Sequence, residues 1–226
     1  MLKKAFISWR HYLTSPRFLI LIISGMILLW TGIKVITHGL SLVDSRHGLV
    51  MNDLFHEILP PPHDFSTLIF FLTYSSVFFV LIEAALFSPV QVMRYCLSIG
   101  IMKLLRTSTM FLFPLEPPKG IILLHDPIVT FLTPNHMAAA KDLFFSGHAA
   151  TMMILLLCAV RPETKWWMRM ICLVVPVLIL WQRVHYTIDI VAGLVIGAVI
   201  YKMVALLTDA YLQKDLVLSG KISVKR

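Results

Sequence analysis

Charged side chains are scarce in this sequence: they make up 14% of the 226 residues, whereas hydrophobic ones make up 58%. A soluble domain carries about 25% charged residues, because water must solvate the surface that covers its core. The scarcity excludes an ordinary soluble domain and indicates that much apolar surface faces lipid. Cysteine is scarce too, and Cys96, Cys158 and Cys172 all lie inside apolar runs. Neither a disulfide framework nor a cysteine metal site is predicted.

The net charge of +8 does not indicate a nucleic-acid partner, because the basic residues lie between apolar runs instead of forming one patch. An apolar run that can cross a hydrocarbon core of roughly 30 Å needs about 20 residues. The sequence therefore predicts an all-α fold, a polytopic six-transmembrane-helix bundle that forms a single membrane domain over residues 1–226. The predicted helices lie at about 18–37, 66–87, 90–113, 143–160, 167–184 and 186–207.

Basic residues collect at alternate ends of these runs, which predicts the orientation of the bundle. The cytoplasmic side receives the basic N-terminus, the loop from Arg161 to Arg169 and the C-terminal tail. The other side receives the longer connections 38–65 and 114–142, which carry most of the acidic residues and histidines. Because both termini lie inside, the number of spans is even. A bacterial inner membrane and a eukaryotic endomembrane both fit this pattern.

Two segments carry residues suited to catalysis: Asp142-Leu-Phe-Phe-Ser-Gly-His148 and His185-Tyr-Thr-Ile-Asp189. In the six-span topology both segments reach the same outer face. His185 and Asp189 are spaced i, i+4, so on a helix the carboxylate can orient the imidazole and stabilise its cation. We therefore predict His185 as a nucleophile or general base. The two histidines then have the parts for in-line displacement at a phosphorus atom. His148 is predicted to give or take a proton at the oxygen on the side of phosphorus opposite His185.

Several other residues bear on this site. Gly147 allows backbone to approach an anion, and the amides at the start of the fourth helix point to the same place. A carboxylate just inside an apolar run, as at Asp189, is costly and usually functional. Glu83, Lys103 and Arg106 are also ionisable groups at membrane depth. A structural pairing of Glu83 with either base and a functional role for these groups both stay open.

The sequence at these positions resembles the sphingomyelin synthase family, a branch of the type 2 phosphatidic-acid phosphatase superfamily. The two histidine motifs, residues 144–148 and 185–191, carry the resemblance. Weaker similarities are a proline-rich segment at 59–64 and an arginine–tyrosine–threonine–proline pattern at 94–114. The resemblance covers about residues 59–195, within a motif-bearing core of about 59–208.

The resemblance implies an extracytoplasmic active site that uses no metal and no organic cofactor. It makes His185 the nucleophile that forms a phospho-histidine, Asp189 its orienting partner and His148 the acid and base. A phospholipid would be the donor and a lipid alcohol the acceptor of a phospho-headgroup such as phosphocholine. The residues expected to bind the substrate are Asp142, Ser146, Gly147, Arg106 and Tyr186.

Departures from the family pattern keep other functions open. Ala192-Gly193-Leu194 follows the second motif, as is common in the phosphatases, which favours a lipid phosphate phosphatase as the alternative. The phosphatases, however, have an arginine where this chain has Ile179. A transporter or channel without enzymatic activity is the alternative of another class. That alternative predicts discontinuous, repeat-related helices, and the sequence shows no repeat.

Overall fold

The computed structural model describes residues 2–126 and 140–218. Within these residues the chain forms eight α-helices, so the all-α prediction is confirmed. The helices are α1 (Leu2–Leu13), α2 (Pro16–Asp44), α3 (Leu54–Ile58), α4 (Ser66–Phe87), α5 (Pro89–Leu112), α6 (Gly147–Cys158), α7 (Pro162–Trp181) and α8 (Thr187–Leu218).

Four of these helices are long and apolar enough to cross a membrane: α2, α4, α7 and the part of α8 over Thr187–Gln213. Their outward faces leave large apolar side chains uncovered, such as Trp30 on α2, Phe71 on α4 and Leu206 on α8. Uncovered apolar surface of this extent is unfavourable in water and favourable in lipid. These helices indicate an integral, multi-pass membrane protein.

The count of six spans remains a prediction, because α5 and α6 do not meet the same criterion. Helix α5 has 24 residues but carries Arg94, Lys103 and Arg106. It packs against α2, α4, α6 and α8, so protein surrounds much of its surface. Helix α6 has 12 residues, which corresponds to about 18 Å at the usual rise.

The fourth predicted run starts earlier than the helix that it contains. Residues 143–160 were expected to be helical, but α6 covers only Gly147–Cys158. The preceding turn is held in a non-helical form by Arg106, whose Nε donates to the carbonyl oxygen of Phe145 at 2.7 Å. Ser146 then begins the helix as its N-cap. The expected helix is therefore shortened by tertiary contacts at its start.

Glu83 has a different partner from those expected. Its carboxylate accepts hydrogen bonds from the backbone N–H groups of Val160 and Arg161 and from the hydroxyl of Thr164, at 2.9–3.1 Å. It thereby fixes the connection into α7, because Val160 and Arg161 precede this helix and Thr164 lies in its first turn. The alternative in which Glu83 pairs with Lys103 or Arg106 is wrong.

Small residues bring the helices that carry the site close together. On α2, Gly25, Gly32 and Gly39 face α5, and a Cβ at Gly32 would lie 2.9 Å from the carbonyl oxygen of Gly100. On α8, a Cβ at Gly193 would lie 2.5 Å from the carbonyl oxygen of Ser146. Close backbone packing of this kind is typical of membrane helices.

The helices alternate in direction, so the bundle has two distinct ends. We call one of them the loop-rich end. It holds the last turns of α2 and α5, the first turns of α4, α6 and α8, and the loops around them. Gln182 joins three of its segments, because its side chain bonds to Phe65 N at 2.8 Å, Ser66 Oγ at 3.0 Å and Ile122 O at 3.1 Å. The opposite end holds α1, the last turn of α4 and the first turn of α7.

Candidate active site

The starts of α6 and α8 lie side by side at the loop-rich end. The backbone N–H of Ser146 donates to the carbonyl oxygen of Asp189 at 2.9 Å. The Ser146 hydroxyl is buried and accepts from Ala149 N at 3.4 Å, as a helix N-cap does. Gly193 permits the close approach of the two helices described above. The two histidine motifs are therefore joined by direct backbone contact.

His185 and Asp189 form a buried pair within the second motif. His185 Nδ1 lies 3.4 Å from Asp189 Oδ2, and the two side chains are 2% and 0% exposed. Oδ2 also accepts from Tyr186 N at 3.1 Å, so the carboxylate caps the first turn of α8. Within residues 2–126 and 140–218, His185 Nδ1 and Asp189 Oδ1 have no hydrogen-bond partner. The imidazole and the carboxylate are therefore in contact, but Nδ1 and Oδ2 do not meet the geometry of a hydrogen bond.

His148 is the second residue of α6 and is half-buried. Its ring meets the ring of Phe70 edge to face, with 5.6 Å between the centroids. His185 and Asp142 lie within electrostatic range of it. His148 therefore lies between the second motif and the residues of α4 and α5.

A cavity of about 380 Å³ opens beside His148. Apolar side chains of α2 and aromatic side chains of α4 form part of its wall, and two cationic side chains of α5 form another. His185 does not line it. The lining residues include Ile36, Leu40, Phe70, Tyr74, Lys103, Arg106, Asp126, Asp142, Gly147, His148 and Thr151.

Arg106 is held rigidly at this cavity. Its Nη2 lies 2.7 Å from Asp142 Oδ1 and also donates to the Asp142 carbonyl oxygen at 3.1 Å. A Cβ at Gly147 would lie 3.0 Å from its Cζ, so any larger residue there would press on the guanidinium. The guanidinium is therefore fixed in place at the cavity through Nε and Nη2.

Lys103 joins this site without having been predicted as part of it. It precedes Arg106 by three positions on α5, so both lie on one helical face and line the same cavity. That i, i+3 spacing of two intramembrane bases was the signal that could have identified it. Tyr74 donates to Asp126 at 2.5 Å at the same cavity, and no sequence pattern links these two residues.

Two predicted substrate-binding residues lie outside this cavity. The hydroxyl of Ser146 is used as the cap of α6. Tyr186 is buried, donates to the carbonyl oxygen of Glu116 at 3.0 Å and accepts from Met51 N at 3.3 Å. It lines a second cavity of about 430 Å³ on the loop side. Of the predicted residues, Asp142, Gly147, Arg106 and His148 line the first cavity together, while His185 and Asp189 are buried beside it.

The loops over the site are fixed by a second ion pair. Lys141 Nζ lies 2.9 Å from Glu116 Oε1, which also accepts from Gly48 N at 2.9 Å. The hydrogen bonds from Gly48 and Lys141 hold the pKa of Glu116 below its usual value. These bonds tie the segments that follow α2 and α5 to the start of the first motif.

The fold and the site define an all-helical integral membrane protein with two histidines next to a cationic cavity. Residues 141–206 match the model of a protein family described as PAP2 superfamily C-terminal. The matched segment contains α6, α7 and much of α8, and therefore both histidine motifs. No curated protein and no solved structure matches the chain. The family match favours lipid phosphatase or phosphotransferase chemistry, without identifying a branch of the superfamily.

Proposed function

We propose that this protein is a lipid phosphotransferase that moves a phospho-headgroup from a phospholipid to a lipid hydroxyl through a phospho-histidine at His185. The observation that carries the proposal is the arrangement of His148, the His185–Asp189 pair and two cationic side chains, Lys103 and Arg106, around one end of α5 and α6. Paired histidines with a carboxylate behind one of them supply a nucleophile and a separate acid and base.

In the first step, His185 Nε2 attacks phosphorus and a phosphorus–nitrogen bond forms. The bond between phosphorus and the diacylglycerol oxygen breaks, and protonated His148 gives its proton to that oxygen. Asp189 stabilises the positive charge that the attack leaves on the His185 ring. The products of this step are a free lipid alcohol and the phospho-enzyme.

In the second step, neutral His148 takes the proton from the acceptor hydroxyl, whose oxygen attacks phosphorus. The phosphorus–nitrogen bond breaks, so His185 returns to its neutral form and His148 to its protonated form. Arg106 and Lys103 stabilise the negative charge on the phosphoryl oxygens in both steps. No proton or electron is left unaccounted for in the cycle.

The composition of the cavity wall supports a lipid substrate. Ile36 and Leu40 of α2 lie on the same cavity as Lys103 and Arg106. An apolar wall next to a cationic one suits an ester with an acyl chain on one side and a phosphate on the other. Phosphocholine is the proposed headgroup and a sphingoid or glycerol alcohol the proposed acceptor.

A six-span topology with the site on the extracytoplasmic side belongs to the same proposal. It is supported by the basic residues at the opposite end, such as Arg10, Arg161 and Lys165. Single cysteines placed at His47 or His125 in a cysteine-free background should react with an impermeant reagent added outside sealed vesicles. A cysteine at Lys165 should not, and labelling there would contradict the orientation.

The test of function is incubation of the purified protein with headgroup-labelled phosphatidylcholine, with and without ceramide or diacylglycerol. A transferase moves the label to the added lipid alcohol and releases little of it to water. A lipid phosphatase, the alternative that Ala192-Gly193-Leu194 favours, releases phosphate from a monoester such as phosphatidic acid. No turnover of either substrate would favour the non-enzymatic transporter or channel.

A further inference from the structure

A second contact region lies on the loop side of His185. The cavity of about 430 Å³ there is lined by residues of three segments: 51–57, 118–119 and 183–186. The first of these segments contains α3, a helix of five residues. In the part of the chain that the structure describes, none of the five α3 residues is buried. Helix α3 therefore contributes little to the apolar core.

His56 of α3 is bonded directly to the backbone of His185. Its Nε2 lies 3.1 Å from the His185 carbonyl oxygen. A carbonyl oxygen only accepts, so Nε2 must carry the hydrogen, which fixes the tautomer of neutral His56. The backbone oxygen of His56 in turn accepts from Arg183 Nη2 at 3.1 Å. Two bonds therefore connect one residue of α3 to the segment that carries His185.

Asp53 connects α3 to the residue at which α8 begins. Its carboxylate accepts from Thr187 N at 2.5 Å and from the Thr187 hydroxyl at 3.0 Å. It also accepts from Phe55 N at 3.0 Å, so one side chain caps both α3 and α8. Burial raises the pKa of Asp53, but the hydrogen bonds from Thr187 and Phe55 outweigh it and leave the pKa below its usual value.

The segment that carries His185 begins at the C-terminal turn of α7. Arg183 has a φ of 59° and ends this helix in the left-handed conformation, with Arg183 N donating to the carbonyl oxygen of Leu180 at 3.0 Å and Val184 N to that of Ile179 at 3.1 Å. The Arg183 guanidinium donates to the carbonyl oxygens of Lys119 and His56. The side chain of Arg183 therefore ties this turn, two residues before His185, to α3.

We propose that His56 is a positioning residue for His185. Together with Asp53, it fixes the segment that carries His185, so that α3 holds the His185 imidazole in the direction of attack. The proposal rests on the proposed function, in which His185 is the residue that is phosphorylated. His56 bonds to the backbone of His185 and does not line the cavity beside His148. A displacement of about 1 Å at a reacting group costs on the order of a hundredfold in rate.

The test compares three variants of the full chain. His56→Phe keeps a ring but removes the donor, and His56→Gln keeps an N–H donor near the position of Nε2. His63→Phe is the matched control, because His63 is exposed and packs on Phe65 with 4.9 Å between ring centroids. The readouts are the rate of phospho-histidine formation from labelled phosphatidylcholine, kcat, KM and thermal unfolding.

We expect His56→Phe to lower phospho-histidine formation and kcat about tenfold to a hundredfold with little change in KM. His56→Gln should recover most of the rate, and His63→Phe should behave as the unchanged protein. Equal rates in His56→Phe and the unchanged protein would overturn the inference alone. So would a His56→Gln rate no better than that of His56→Phe, or a rate loss that only follows unfolding. Absence of label on His185 in the unchanged protein would overturn the proposed function, and the inference with it.

Discussion

The two ends of the bundle both contain charged groups inside the helical part, but the hydrogen bonding of these groups differs between the ends. At the opposite end, Glu83 accepts three hydrogen bonds. Arg94 is bonded there to Thr208 and Asp209. At the loop-rich end, His185 Nδ1 and Asp189 Oδ1 have no hydrogen bond within the described residues.

The difference separates groups that stabilise the fold from groups that are available for chemistry. An unsatisfied buried polar atom costs about 1–3 kcal/mol, so it persists where another requirement outweighs that cost. We expect substitutions at the loop-rich end to change the reaction with little loss of stability. Substitutions at the opposite end should change stability and leave the reaction intact. The variants below test this expectation, from the largest expected effect to the smallest.

Replacement of His185 should have the largest effect. His185→Ala removes the proposed nucleophile, so no phospho-enzyme should form and turnover should fall to background. His148→Ala should also stop turnover. Its phospho-enzyme should form more slowly because the leaving oxygen is no longer protonated, and the part that forms should persist because the acceptor hydroxyl is no longer activated. Both are measured by trapping labelled phosphate after an acid quench. Label on a residue other than His185, or full activity in His185→Ala, would contradict the mechanism.

Asp189→Asn should come next, with a rate lower by about a thousandfold or more, because an amide does not favour the imidazolium as a carboxylate does. The asparagine oxygen still accepts from Tyr186 N, so the cap of α8 and the fold should survive. The measurements are the rate of phospho-enzyme formation and the thermal unfolding temperature. An undiminished rate would reduce Asp189 to a helix cap.

Arg106→Lys should have a moderate effect. Lysine keeps the charge but loses the rigid guanidinium, which contacts Phe145, Asp142 and the cavity at once. Loss of charge-assisted hydrogen bonds should weaken donor binding about tenfold to a hundredfold. Arg94→Lys is the matched control on the same helix, and its KM should not change. Equal KM values in the two variants would argue against a phosphate at Arg106.

Much of the fold was predictable, because apolar runs report helices directly. The second predicted helix, 66–87, agrees with α4 in both bounds, and the third, 90–113, differs from α5 by one residue at each end. Span counting predicted that the two histidine motifs reach the same end of the bundle, but not that they touch. Alternating helix direction brings the starts of the fourth and sixth runs to one end, whatever the details of their packing.

What the sequence did not predict depends on contacts between distant residues. The late start of α6 results from Arg106, and the partners of Glu83 lie 77 to 81 positions away. Helix α3 has five residues and no long apolar run, so no periodic pattern predicted the helix or its contact with His185. Ser146 and Tyr186 were predicted to bind the substrate, but their hydroxyls form hydrogen bonds with backbone groups.

The smallest effect on the reaction should come from Glu83. Glu83→Gln keeps the shape of the side chain, but an amide presents one acceptor oxygen where the carboxylate presents two. At least one of the three donors at the start of α7 then loses its partner, which should lower the free energy of unfolding by about 1–3 kcal/mol. The folded fraction should form phospho-enzyme at the unchanged rate. Glu163→Gln is the control, because the pair of Glu163 with Arg161 is exposed and contributes about 0–1 kcal/mol. A Glu83→Gln protein that is stable but slow would mean that the opposite end takes part in the reaction, and the distinction between the two ends would fail.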